Sequence, residues 1–409
     1  MSSPFSRRQL FKGAAAVAGV AVGSRLAAGR GGNWLLGEAR AQSLTTRPVL
    51  LNLYTFGGFP NIFGNAQPWL NNYFGVTASN TTQVNSKVLL DAAFAKCIPT
   101  AFHPNVGVVG YSTGSTSHTN SPIITYSFNN TQAVIALADA MGGSAALKCV
   151  TLGGSKIPGN NQAVGSTSNQ MVTDLGALLA ALGGVTDPTI PDRAIAASGM
   201  TTAQAISSGA LSANPGGLSS LQQAFVSGIN ALQQPVPVFN YATVAQAYGV
   251  AATQTAVSNF AMQLIGAEVA IAAGANVVNI VPKGVSFGSM DDHGDNQMTS
   301  PRNAFTSAMA GPLTTFLARN LGRTDIQLVM TWQGDFWRTD TGTNHANCIG
   351  VPVIGNNVVA GNFAQVSASG PNLTGAPPPM ALWSTLAGIL KVPAAANPFS
   401  APTYPALVG

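Results

Sequence analysis

Four short apolar runs, each closed by turn-forming residues, punctuate the chain: PVLLNLYT (48–55), LKCVTLGG (147–154), ANVVNIVP (275–282) and DIQLVMTW (325–332). None shows the strict polar–apolar alternation of a half-exposed strand. Each therefore predicts a strand buried on both faces, as in a parallel sheet. Between them apolar positions return with helical spacing, over 131–141, 171–182, 217–233, the long 243–274 and 302–322. This alternation predicts an α/β fold, with a mostly parallel central sheet and helices on both faces. The stretch 155–216, rich in Gly, Ser, Pro and Asn, has weak periodicity and reads as an insertion in a single domain spanning 42–409. No internal repeat is evident.

The first 41 residues break this pattern. SRRQLFKGAAAVAGVAVGSRLAAG places Arg7-Arg8 before Leu10-Phe11-Lys12 and a weakly apolar Ala/Val/Gly run, and ARA at 39–41 ends the segment. This is the pattern of a twin-arginine export signal, cleaved after Ala41. The run is interrupted by Gly and Arg25 and suits a membrane span poorly. The expected location is periplasmic or secreted, reached by a pathway that carries folded proteins.

That leader also accounts for the charge. The whole chain carries a formal +5, but six of its 18 basic residues and one of its 13 acidic ones lie within 1–41, leaving 12 of each. A neutral mature chain gives no reason to expect nucleic acid or anionic lipid as a partner. Cys97, Cys149 and Cys348 match no metal or redox spacing and read as core residues.

Charge is scarce, at 8% of residues, and yet FGSMDDHGDNQ (287–297) gathers Asp291, Asp292, His293 and Asp295. It follows the third predicted strand. QGDFWRTDTGTNHAN (333–347) follows the fourth and FGGFPN (56–61) the first. Ligands of open α/β sheets sit outside the carboxyl ends of the strands, so these segments are expected to meet in one crevice. All four histidines, His103, His118, His293 and His345, lie in polar, turn-rich segments. His103, in FHPN, reads as structural. His293 and His345 have Asp291 and Asn344 close by, and imidazole with carboxylate suits zinc, manganese or iron. Asp292 and Asp295 read as solvated turn residues.

These blocks, GSMDDHGDN, GDFWRTDTGTNHA and VIGNNVVAGNF, taken in order with the twin-arginine leader, resemble the exported bacterial family called domain of unknown function 1501. FHPNVG and TSHTNS resemble two further blocks of that family, and the likeness spans roughly 49–365, apart from 155–240. The family is similar to the alkaline phosphatase and sulfatase superfamily. The resemblance therefore implies an alkaline-phosphatase-like sandwich and hydrolysis of phosphate or sulfate esters, with small anionic or glycan-linked substrates. It implies Asp291, His293 and His345 as ligands of one divalent transition metal, Asp335 as a candidate for a second position, Ser117 as the nucleophile unless metal-bound water serves, and Arg338 as a clamp on the anionic group.

The sequence departs from that pattern in several places. FGGFPN has Pro60 or Asn61 where the family carries Asp, Asn344 replaces an Asp, Met290 replaces a Trp, and Phe336 stands where phosphatases have a second-metal His. A two-metal centre is not expected. GYSTG (110–114) satisfies the Gly-x-Ser-x-Gly elbow pattern with Ser112 central, but no apolar helix follows it, and LGGSKIPG lacks the Gly-Lys-Ser ending of a phosphate loop. Two readings of function stay open: an exported metal-dependent ester hydrolase, and a catalytically decayed sandwich-fold protein that binds or assembles in the cell envelope.

Overall fold

The first apolar run forms strand β1, Arg47–Tyr54, at the centre of an eight-stranded sheet. The structure is a computed structural model and describes residues 46–57, 61–71, 74–143, 145, 147–182, 239–285, 297–335, 337–338, 345–346, 348–362 and 376–409. The export leader, the 217–233 segment, and Asp291, Asp292, His293 and Asp295 lie outside these residues.

The other strands of the sheet are β2 (Val106–Ser112), β3 (Cys149–Leu152), β4 (Asn169–Val172), β5 (Val277–Ile280), β6 (Ile326–Gln333), β7 (Cys348–Gly355) and β8 (Gly361–Asn362). Their spatial order is β8-β2-β7-β6-β1-β5-β3-β4. β1 runs parallel to both neighbours, with Leu50 opposite Val277 on β5 and Val329 on β6. Only β7 runs antiparallel to its neighbours, β6 and β2. The chain is thus mixed α/β, with a mostly parallel sheet.

Both faces of the sheet are covered, which is why its central strands read as continuous apolar runs. Val49, Leu51 and Leu53 of β1 face one core, with α5 (Phe260–Ala272) and α6 (Ala310–Asn320). Leu50 and Tyr54 face the other, with α2 (Ala133–Ala140) and α7 (Met380–Ile389). Arg47 ties β1 to the first layer: its guanidinium donates to the carbonyls of Ile271 and Ala275, both at 2.6 Å, where α5 ends. A cation there complements the carbonyl-rich end of the helix dipole.

Three predicted helices take other forms. The 171–182 segment divides into the end of β4 and α3 (Gly176–Leu182), with Asp174 accepting the Gly176 amide at 2.8 Å. The 243–274 segment is two helices, α4 (Tyr241–Ala247) and α5. Gly249, at φ +67°, turns the chain out of α4, and the Asn259 side chain accepts the Met262 amide at 2.9 Å to start α5. Over 302–322 helical backbone persists but passes through a π-helical turn, Phe305–Met309. The predicted insertion supplies β4, so part of it belongs to the sheet.

β2 and β7 carry no clear strand signal in the sequence because glycine dilutes their apolar pattern. The glycines answer to packing: a Cβ on Gly107 would lie 2.5 Å from Leu407 Cδ2, and one on Gly355 2.8 Å from the Leu328 carbonyl oxygen. Among the described residues no helix is long and apolar enough to cross a membrane.

Candidate functional site

Because β1, β2 and β6 are parallel and β7 is reversed, four chain segments meet at one end of the sheet. β1 delivers Tyr54 and Gly57, β6 delivers Asp335, and β2 leads into the Thr113–Thr119 loop that carries His118. His345 arrives on the way into β7, from a two-residue strand, His345–Ala346, paired with Trp337–Arg338. β5 ends at Ile280 beside Leu53, at the same end.

Asp335 is the hub. Its side chain has no exposed surface, while that of His118 keeps 40%. Oδ1 accepts a short hydrogen bond from the Tyr54 hydroxyl. Oδ2 accepts the Gly57 amide at 3.0 Å and pairs with His118 Nδ1 at 2.8 Å. Burial pushes the Asp335 carboxyl above its ordinary range, although the Gly57 amide, the Tyr54 hydroxyl and His118 all oppose that shift. Burial, then the charge and hydrogen bond of Asp335, hold the Tyr54 phenol well above its ordinary range, so Tyr54 serves as a fixed donor.

His345 joins through its ring. It packs edge-to-face on His118 with centroids 4.7 Å apart, and its Nδ1 lies 3.0 Å from the Thr116 carbonyl oxygen. A carbonyl can only accept, so Nδ1 of His345 carries the proton. When Asp335 is ionised it too can only accept, and Nδ1 of His118 then donates to it. In each neutral imidazole the lone pair then falls on Nε2.

Beneath the site runs a buried polar belt. The Tyr111 hydroxyl reaches Gln333 Oε1 at 3.4 Å, Gln333 Nε2 donates to Asn52 Oδ1 at 3.0 Å, and Asn52 Nδ2 donates to Asn279 Oδ1 at 2.9 Å. The belt crosses β2, β6, β1 and β5 just below their carboxyl ends. Satisfied buried amides of this kind rigidify the strands that present the site.

The remaining candidates fall as follows. Ser117 lies next to His118, but its Oγ accepts the amides of Thr119 and Asn120, each at 3.2 Å, at the entry to α1 (Asn120–Tyr126). Among the described residues it bonds to neither imidazole. Arg338 stands opposite His345 in the short ladder, and its side chain is outside the described residues, as are Asp291 and His293. His103 Nε2 contacts the Ile98 carbonyl at 3.1 Å within its own segment, a structural role. Ser112 ends β2 without the tight strand-to-helix elbow, since α1 begins only at Asn120. The sequence pattern gives Tyr54 no role and places His118 only among the histidines of polar segments; the signal for His118 is its place beside Ser117 in TSHTNS.

Among the described residues no group of three or more His, Cys, Asp or Glu is placed to hold a metal ion. The described part of the site supplies two imidazoles with fixed tautomers and a buried carboxylate that orients one of them. No family model matches the chain, and no curated protein matches it.

Proposed function

We propose that this protein is an exported, metal-dependent hydrolase of phosphate or sulfate esters, of alkaline-phosphatase-like architecture and related to the domain of unknown function 1501 family. One observation carries the reading: His118 and His345 each have Nδ1 engaged by an acceptor, Asp335 and the Thr116 carbonyl. Metal-binding histidines are held in this way, with the far nitrogen turned to the metal and the near one anchored to a carboxylate or carbonyl. The donor set fits a borderline transition metal such as zinc, manganese or iron. Two imidazoles are too few alone, and Asp291 and His293 are the proposed remaining ligands.

In this reading Asp335 is a positioning residue. Three donors already use its oxygens, which leaves it better suited to fixing His118 than to binding a second ion. When bound, the metal would polarise the ester oxygen and lower the pKa of water. The Tyr54 hydroxyl and the Gly57 amide favour the charged form of Asp335 against its burial, and in that form the carboxylate holds the proton of His118 on Nδ1. The Ser117 hydroxyl oxygen is turned toward amides, which favours water over Ser117 as the attacking group. Arg338 is the proposed clamp for the anionic part of the substrate.

The test is metal analysis of protein exported in its native host, beside His118→Ala, His345→Ala and Asp291→Ala, with hydrolysis of 4-nitrophenyl phosphate and 4-nitrophenyl sulfate. Each substitution is expected to lower bound metal at least about tenfold. Wild type without transition metal would overturn the reading. Metal without turnover of either ester would favour the envelope-binding alternative.

A further inference from the structure

Large apolar side chains left exposed are few, and they are not scattered evenly. Among the described residues they are Phe56, Ile123, Ile124, Met171 and Val359, and three of these five belong to segments that flank Tyr54. Phe56 is 57% exposed. It is nevertheless held on both sides: its ring packs edge-to-face on Tyr54 with centroids 5.1 Å apart, and the next residue, Gly57, gives its amide to Asp335. Ile123 and Ile124, 43% and 40% exposed, lie on α1, which starts two residues after His118 and packs its Tyr126 on Tyr54 at 5.5 Å. One buried tyrosine, itself bonded to Asp335, thus anchors the exposed phenyl ring and the helix bearing the two isoleucines.

A phenyl ring fixed in water beside an acid–base site costs free energy unless something covers it. The described side chains bonded together at the site are a carboxylate, a phenol and two imidazoles. In the hydrolase reading the metal and Arg338 would hold the anionic group, which leaves the alcohol part of the ester to be recognised by contacts outside them.

Building on the hydrolase reading, we infer that Phe56, with Ile123 and Ile124 on the neighbouring helix, forms an apolar subsite for the alcohol part of the ester. The substrate class is then an ester of an aromatic alcohol, its ring stacked on or set edge-to-face against Phe56.

The experiment needs no turnover. Binding of 2-naphthylmethylphosphonate and of methylphosphonate, whose C–P bonds the reaction does not cleave, is measured by calorimetry on wild type, Phe56→Ala and Phe56→Trp. The wild type is expected to prefer the naphthyl probe, Phe56→Ala to lose about tenfold of that preference, and Phe56→Trp to keep it. A wild type that binds the naphthyl probe no better than methylphosphonate overturns the subsite. So does a preference that survives in Phe56→Ala, or a wild-type dimer that Phe56→Ala dissociates without changing the preference. If the preference behaves as expected and 4-nitrophenyl esters are untouched, the subsite stands and the hydrolase reading falls.

Discussion

Replacing Arg319 by Met measures how strongly the helical layer behind the sheet is held. Glu268 on α5 is 4% exposed, and Arg319 on α6 grips it with two parallel bonds, Nε to Oε1 at 2.8 Å and Nη2 to Oε2 at 3.0 Å. The Tyr248 hydroxyl adds a third, at 2.7 Å to Oε1. Removing one partner of a buried pair costs about 3–5 kcal/mol, because the other charge stays buried without compensation. Two features lower that figure here: the Arg319 side chain is 34% exposed, so water can reach the gap, and Tyr248 stays in place. The expected loss is about 3 kcal/mol. The double variant Glu268→Leu/Arg319→Met removes both charges and should recover most of the loss. Urea unfolding of the wild type and the two variants, followed by circular dichroism, gives both comparisons. A loss under about 1 kcal/mol in Arg319→Met, or a double variant no more stable than the single one, would refute the reasoning.

Two further outcomes follow from other parts of the molecule. Tyr54→Phe removes a donor that favours the charged form of Asp335, so the carboxyl should protonate more easily and the acid limb of the pH–rate profile for 4-nitrophenyl phosphate should move to higher pH; an unmoved limb would separate Tyr54 from the proton chemistry. Cys97 and Cys149 are free and buried, and burial pushes the Cys149 thiol up to about 12 and the Cys97 thiol higher still. Both should resist iodoacetamide in the folded protein and react in urea, as peptide mass mapping will show, and native labelling at either would contradict their burial.

The parts of the fold legible in the sequence were those with one physical signal. β1, β3, β5 and β6 are apolar on both faces, and each predicted run overlaps the observed strand closely. β2 and β7 carry the same sheet but needed glycine where Leu407 and the Leu328 carbonyl press close, and that requirement erased the hydrophobic run. The 243–274 pattern remained helical in composition because Ala and Thr do not announce a break. Gly249 and Asn259 make it, and each is a single residue. For the site, the position at the strand ends could be read from the order of polar clusters after apolar runs. The bond between His118 and Asp335 could not, because 217 residues separate them and only the reversal of β7 brings His345 to the same place.

The central place of β1 has a consequence for how this protein is made. It is the first strand of the sheet to be synthesised, and its partners are Val277–Ile280 and Ile326–Gln333. At ~5–20 residues per second, β6 follows β1 from the ribosome by roughly 15 seconds to a minute. Until β5 emerges Val49, Leu50, Leu51 and Leu53 have no sheet to join, since β3 and β4 reach β1 only through β5. The strand made first therefore waits for partners from the second half of the chain, and the nascent chain carries an unpaired apolar segment for most of its synthesis. Holdase chaperones that bind extended apolar segments should find this chain a client until β5 and β6 have emerged.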